Sequence, residues 1–359
     1  MKADKKAILI AGGAGFVGSN LAFLLKDKYP EWQIIALDNL KRRGSELNIP
    51  FLKSAGVEFI HGDIRNGEDL HFDGKIDFII DAAAEPSILA GLNETPDYLI
   101  HTNLNGTIHL LSLAKKHNAG FVFLSTSRIY PIKQLEKLNF REDEFRFELE
   151  EAQPVQGCSR DGIAETFSLQ GARSLYGTTK LASELVLQEY EAFYDLKAVI
   201  NRCGVIAGPR QMGKVDQGVA VLWMARHFWQ KELSYIGYNG SGKQVRDAVH
   251  IFDLFDLIDY ELTHFEKVAG KIYNVGGGRE VSFSLKELTE HCVAITGNKM
   301  PIRSILTNRV GDIPIYLTDH SLVTGETGWH PKRNLQTILA DIYDWLKKDE
   351  KQLKNILAV

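Results

Sequence analysis

The chain has 359 residues, 44% of them hydrophobic and 25% charged, with a formal net charge of −4. This is enough polypeptide for one large domain or two smaller ones of an ordinary globular protein. The mild negative charge gives no reason to expect nucleic acid or an anionic membrane as partner.

The opening residues, Met1-Lys2-Ala3-Asp4-Lys5-Lys6, lead into a short apolar segment that could be mistaken for a signal peptide. That segment runs into a Gly-rich turn, and no small-residue cleavage site follows an apolar core. It therefore reads as a first β-strand, Ala7 to Ala11, of a cytoplasmic protein. A helix is predicted from Gly15 to Lys28 and strands at Gln33 to Leu37, Val57 to Ile60 and Ile76 to Ile80. A long helix, Tyr98 to Lys116, precedes a strand at Gly120 to Leu124. A second long helix, Ser174 to Phe193, precedes a sixth strand at Leu196 to Asn201. Continuous apolar runs suit strands covered on both faces. Alternation of strand and helix predicts a doubly wound, Rossmann-type parallel α/β sheet. Beyond about Gly208, Gly, Asn and Lys break the pattern, as in Gly237-Tyr238-Asn239-Gly240-Ser241-Gly242-Lys243. Lys271 to Val275 reads as a seventh strand returning to the sheet, and Leu285 to Gly297 and Leu335 to Lys348 read as helices. The division is thus a dinucleotide-binding domain over 1–207 and a smaller α/β substrate-binding region over 208–359. Cofactor and substrate are expected at the C-terminal ends of the strands. Cys158, Cys203 and Cys292 form no CxxC and no metal spacing, which suits a reducing compartment. No apolar run reaches the ~18 residues that span a bilayer.

Gly12-Gly13-Ala14-Gly15-Phe16-Val17-Gly18 follows the first strand and opens a helix. Gly12, Gly15 and Gly18 make a GxxGxxG spacing, which lets backbone approach a pyrophosphate at the helix N-terminus; alone, such a loop is equally a tight strand-helix turn. Asp38 lies twenty residues past Gly18 at the end of the second strand, where a carboxylate accepts from the adenosine ribose hydroxyls and repels a 2′-phosphate. It favours NAD over NADP, while Lys41, Arg42 and Arg43 read as a solvated loop. Asp63, in Gly62-Asp63-Ile64-Arg65, is placed for the adenine amino group or simply for a turn. Ser125-Thr126-Ser127-Arg128 follows the fifth strand and offers a hydroxyl to a substrate oxygen. Tyr176 and Lys180 stand at i and i+4 on one helix face. A phenol titrates near ~10 and needs a nearby cation to work as a base at neutral pH. Lys180 is placed to be that cation. No Ser-His-Asp arrangement and no metal-ligand cluster is evident, and His250 reads as structural.

Together these residues resemble the extended short-chain dehydrogenase/reductase family, in particular its nucleotide-sugar epimerases and dehydratases. The resemblance spans nearly the whole chain: GGAGFVG, Asp38-Asn39-Leu40, Gly62-Asp63-Ile64-Arg65, Asn103, Thr126, Tyr176 with Lys180, Gly208-Pro209-Arg210-Gln211, Arg246-Asp247 and Gly328-Trp329-His330-Pro331. It implies that Tyr176 is the acid/base, that Lys180 lowers its pKa and binds the nicotinamide ribose, and that Thr126 is the catalytic hydroxyl, with Ser125 as the neighbouring alternative. It implies an NAD site of Gly12, Gly15, Phe16, Val17, Gly18, Asp38, Asn39, Asp63, Ile64, Ala82, Ala83, Asn103, Tyr176 and Lys180. Arg246 matches an arginine that grips the nucleotide-sugar diphosphate, and Arg210 and Asp312 match positions near the nucleotide. Glu85, Ser127, Arg128 and Gln217 complete the implied substrate set.

Members that carry out 4,6-dehydration usually show Asp-Glu after the catalytic Thr, where this chain has Ser127 and Arg128. The implied chemistry is therefore epimerisation in carbohydrate metabolism and polysaccharide biosynthesis. The runs Lys214 to Val219 and Gly242 to Asp247, with Gly162-Ile163-Ala164-Glu165, look like the CDP-paratose 2-epimerases. Many members place a His where Asp81 stands before Ala82 and Ala83, and Glu85 is then expected to line the sugar pocket. The alternatives are a 4-epimerase for a UDP-sugar or UDP-uronic acid, and, in a different class, a non-catalytic dinucleotide sensor. The resemblance also implies a homodimer built on the two long helices.

Overall fold

Seven strands form a parallel sheet: β1 (Ala7–Ala11), β2 (Gln33–Asp38), β3 (Glu58–His61), β4 (Phe78–Asp81), β5 (Gly120–Thr126), β6 (Ala198–Cys203) and β7 (Lys271–Val275). Across the sheet their order is β7-β6-β5-β4-β1-β2-β3. The chain thus reverses direction at β1 and β4, and ligands of open α/β sheets bind outside the strand ends at such a point. The structure is a computed structural model that describes residues 5–92, 94–213 and 217–358. Lys214 to Asp216, part of one run used in the sequence comparison, lie outside the described residues.

Two units divide the chain: Met1–Thr126 with Leu175–Arg202 and Phe255–Ile272, and Ser127–Ser174 with Cys203–Leu254 and Tyr273–Val359. The sequence reading puts the change at 207–208; in the structure the segments of the two units alternate along the chain. In the first unit the apolar runs are buried on both faces of the sheet. Ile8, Leu9 and Ile10 are fully buried, and Ile8 pairs with both Ile34 and Phe78. Four helices matter below: α1 (Phe16–Lys28), α2 (Gly106–His117), α3 (Leu175–Tyr194) and α4 (Ile251–Thr263). Leu110, Leu111 and Ala114 of α2 and Leu187 of α3 share one core with Leu9, Leu37, Ile79, Phe121 and Phe123 of the sheet. The predicted helix from Tyr98 to Lys116 is present with a difference. An α-helical turn at Asp97–Ile100 passes through a π-helical turn at His101–Asn105 before α2 begins.

Glu261 of α4 is fully buried and accepts from Asn201 Nδ2 of β6 at 3.0 Å. Burial pushes its carboxyl up to about 8, against the opposing pull of that hydrogen bond. The folded state therefore holds a proton that the unfolded chain releases near its ordinary value of 4.5. Below that value both states are protonated and nothing is lost. As pH rises through this window the unfolded state binds fewer protons, so stability falls. Glu261→Gln keeps the shape and removes the titration. Between pH 4.5 and pH 7.5 the variant should gain roughly 3–4 kcal/mol on the wild type, read from urea unfolding at both values. Parallel pH dependence of the two proteins would contradict a buried neutral acid.

The second unit holds a four-stranded sheet around Val245–His250, which pairs in parallel with Val205–Ala207 and Ile315–Tyr316 and antiparallel with Ser282–Ser284. The helix Leu285–Thr296 starts at a capping box. Ser284 Oγ accepts from the Glu287 amide at 3.0 Å, and Glu287 Oε2 accepts from the Ser284 amide at 2.7 Å. Gly297 ends that helix in the left-handed conformation, φ 73°, as a residue without Cβ readily does. His250 is buried, with Nδ1 accepting from the Phe252 amide at 3.0 Å and Nε2 donating to Asp341 Oδ2 at 3.1 Å. Burial lowers it to about 4, so it is a neutral structural imidazole, as read from the sequence. Among the described residues no helix is long and apolar enough to cross a membrane, and no group of three metal-ligating side chains forms.

Candidate active site

The glycine loop is held by close approach. Gly12 has φ +70°, and a Cβ there would meet the Ala82 carbonyl oxygen at 2.8 Å. A Cβ on Gly18 would meet the Gly12 oxygen at 2.2 Å, so backbone occupies the space of a side chain at both positions. Gly15 is the N-cap of α1 and offers no side-chain cap, which leaves the first-turn amides of Phe16, Val17 and Gly18 to an outside acceptor. This loop fits a dinucleotide pyrophosphate.

Asp38 ends β2 beside that loop. Its Oδ2 accepts from the amides of Ala14 at 3.1 Å and Gly15 at 3.2 Å, and its Oδ1 accepts from the Leu40 amide at 2.7 Å. Burial pushes this carboxyl up, and the three amide bonds pull it back. Sequence reasoning missed that Asp38 also ties the glycine loop to β2. Asn39 Nδ2 donates to Asp63 at 2.9 Å, and Arg65 grips Asp63 through Nε and Nη2. Burial raises Asp63, but the bonds from Arg65 and Asn39 outweigh it and hold the carboxyl at about 2. Ile64 has its side chain in the core, close enough to Gly106 that a Cβ there would meet its Cδ1 at 2.4 Å. Any contact it makes with a cofactor therefore falls to its backbone. Lys41 and Arg43 are exposed and Arg42 half-buried.

Tyr176 and Lys180 lie on the buried face of α3, with 9% and 1% of their surface exposed. Lys180 Nζ sits 4.0 Å from the centre of the Phe123 ring on β5. Thr126, the last residue of β5, is 7% exposed. The hydroxyl of its neighbour Ser125 donates to Glu184 of α3 in a short hydrogen bond. Glu184 is in turn paired with Arg202 of β6 at 2.8 Å. Ser125 is therefore committed to a structural acceptor, and Thr126 is left as the candidate hydroxyl. Asn103 is fully buried in the π-helical turn. Its Oδ1 accepts from the Glu85 amide at 2.8 Å, and its Nδ2 donates to the Glu85 carbonyl at 3.1 Å and to Thr179 Oγ1 at 3.2 Å. The residue thus clamps the loop after β4 to α3. Both of its amide hydrogens are used within the protein, so its side chain acts as a positioning group for this loop. Asp81 ends β4, fully buried, and Ala82, Ala83 and Glu85 follow it half-buried. Burial raises the Asp81 carboxyl, opposed by the charge of Lys180 and by bonds from Thr107 and Ala83.

The remaining predicted residues lie in the second unit. Arg246 Nη2 bonds Asp312 Oδ1 and the Ile313 carbonyl, each at 2.7 Å, so two of them meet. Ser127 and Arg128 form a 3-10 turn and are half-buried. Arg210 has φ +72° and is half-buried, as is Gln217. Sequence reasoning missed Glu184, Arg202, Thr107 and Thr179. The only trace of them is the polar residue at Lys180 plus four, on the same helix face.

The model of the NAD dependent epimerase/dehydratase family matches residues 8–276. The CDP-paratose 2-epimerase of Salmonella typhi is 29% identical over 94% of this chain and 98% of that protein. Among solved structures, the dTDP-glucose 4,6-dehydratase of Bacillus anthracis str. Ames, in complex with NAD, is 25% identical with a TM-score of 0.77, covering 98% of this chain and 99% of that one. The UDP-glucuronic acid 4-epimerase of Bacillus cereus, in complex with UDP-glucuronic acid and NAD, has a TM-score of 0.77 at 23% identity, covering 95% of this chain and 99% of that one; this likeness shows the fold.

Proposed function

This chain belongs to the NAD dependent epimerase/dehydratase family, and within it we propose an NAD-dependent epimerase of nucleotide-activated sugars that inverts C2 of a CDP-sugar. The observation that carries the reading is the burial of Tyr176 and Lys180 on one face of α3, with Lys180 against β5, the strand that ends in Thr126. When bound, NAD supplies the acceptor that takes hydride from the sugar carbon and returns it to the opposite face, so it is regenerated in each cycle. Tyr176 accepts the proton of the sugar hydroxyl and gives it back. Lys180 lowers the phenol toward working pH through its charge. Thr126 donates to the same sugar oxygen. Gly12, Gly15 and Gly18 admit the pyrophosphate, with the amides of Phe16, Val17 and Gly18 as donors. Asp38 and Asn39 serve the adenosine ribose, Asp63 and Ile64 the adenine, and Ala82, Ala83 and Asn103 the wall near the nicotinamide. Arg246, held by Asp312, serves the diphosphate. Arg210, Gln217, Glu85, Ser127 and Arg128 serve the rest of the substrate.

Ser127 and Arg128 stand where a dehydratase has its acid pair, which supports epimerisation over dehydration. The likeness to a CDP-paratose 2-epimerase supports C2. A likeness to the UDP-glucose 4-epimerase of Halalkalibacterium halodurans, 25% identical over 95% of this chain and 96% of that protein, supports the second reading, a UDP-sugar or UDP-uronic acid 4-epimerase. Incubation with a panel of nucleotide sugars in deuterated water, followed by NMR, separates them. Inversion at C2 of a CDP-sugar with little solvent deuterium at that carbon is expected. Inversion at C4 of a UDP-sugar selects the second reading, and tight NAD binding with no inversion overturns both in favour of a sensor. A homodimer packed through α2 and α3 belongs to the same proposal. It is supported by exposed Leu185 and Phe193 on α3, 56% and 76% accessible.

A further inference from the structure

We infer that Asp81 is the buried counter-charge of Lys180 and keeps that lysine protonated, and so able to hold the cofactor, across the working pH range. Asp81 is the last residue of β4 and pairs in register with Phe123 of β5. Paired residues of neighbouring strands send their side chains to the same face. On that face Lys180 Nζ lies over the Phe123 ring at 4.0 Å. From α2, Thr107 Oγ1 donates to Asp81 Oδ2 at 2.7 Å, and the Ala83 amide donates to Oδ1 at 3.2 Å. Two neutral donors are poor compensation for a carboxylate with no exposed surface, and a charge buried that deeply persists only with an opposite charge nearby. Lys180, only 1% exposed, has the complementary need. A buried ammonium without a counter-charge sheds its proton toward neutral pH.

The other ionisable groups on the packed elements do not supply that counter-charge. β5 carries none, and on α3 Glu184 is neutralised by Arg202 from β6. On the same helix Glu189 and Tyr194 are exposed, and Tyr190 and Glu191 are half-buried two or more turns beyond Lys180. Glu85, in the loop after β4, is half-buried rather than buried. Tyr176 on α3 is the proton carrier itself. On α2 and its π-helical turn the groups are His101, His109, Lys115, Lys116 and His117, none buried and none acidic. Asp97 and Tyr98, one helical turn earlier, are exposed and half-buried. Asp81 is thus the buried acid available to Lys180 among the described residues.

The inference rests on the reading that Lys180 serves the cofactor, and NAD affinity tests both separately. NAD stripped from the protein is titrated back by calorimetry at pH 6 to 9.5. The wild type should bind with affinity flat within about twofold. Asp81→Asn should match it near pH 6 and lose at least tenfold by pH 9, as Lys180 discharges. Asp81→Ser, which keeps a hydroxyl for Thr107 and Ala83, replaces it if the Asn variant does not fold. Lys180→Met should bind weakly at every pH, and adding Asp81→Asn to it should change nothing further. A flat profile for the Asp81 variant beside a weakened Lys180→Met overturns the counter-charge. Unchanged affinity in Lys180→Met overturns the lysine's cofactor role and the inference with it.

Discussion

Tyr176→Phe is expected to lower kcat by about a thousandfold, within the range general acid–base groups contribute, while KM, NAD affinity and melting temperature stay near wild type. The substitution removes one oxygen. The ring stays in its buried place on α3, 9% exposed, so the packing that fixes Lys180 over Phe123 is kept. What is lost is the atom proposed to take the sugar proton. Without it, hydride leaves a neutral alcohol and the developing charge on oxygen has no proton acceptor. Thr126 can donate a hydrogen bond, but a threonine hydroxyl is far too weak an acid to ionise near neutral pH. On the proposed mechanism it therefore does not replace a phenol beside a cation. Steady-state rates on the sugar nucleotide identified by NMR, with circular dichroism and calorimetry on the same preparation, test this. Turnover within tenfold of wild type would remove Tyr176 from the chemistry.

The sequence carried the parts whose physics is local. Unbroken apolar runs such as Ala7–Ala11 become strands buried on both faces, and Lys271–Val275 is found with the boundaries read from the sequence. The glycine spacing is legible because space and φ fix it residue by residue. Features set by distant partners are not legible. The π-helical turn at His101–Asn105 serves to aim Asn103 at Glu85 and Thr179, and nothing in the residues of that turn announces it. Val219–Phe228 escaped because seven of its ten residues are buried, so it lacks the one-sided periodicity that marks a surface helix. Position alone marks Asp38 as a ribose acceptor, whereas its bonds to Ala14 and Gly15 need the loop folded back onto β2. The pairing of Glu184 with Arg202 joins a helix to a strand across 18 positions, beyond any spacing rule.

That pair supports the second large effect. Glu184→Ala should destabilise the protein by about 3–5 kcal/mol, because it removes the carboxylate paired with the buried Arg202 guanidinium and takes the acceptor from Ser125. The side chains of Arg202 and Glu184 are 5% and 1% exposed, so water cannot replace the lost partner. Yet a buried ion pair contributes little net stability compared with well-packed apolar groups. The triple variant Ser125→Ala, Glu184→Leu, Arg202→Met should therefore recover most of that loss in urea unfolding. Turnover should not recover with it. Glu184 lies one turn beyond Lys180 on α3, and Ser125 directly precedes Thr126 on β5, so this triad ties the helix of the proposed acid/base pair to the strand of the proposed catalytic hydroxyl at one register. Leucine and methionine fill the space but do not select a register, since apolar contacts are non-directional. A misplacement on the order of 1 Å at reacting atoms is enough to cost a hundredfold. The expected outcome is a stable triple variant with kcat down at least tenfold. A triple variant as active as it is stable would make the triad a packing element and nothing more.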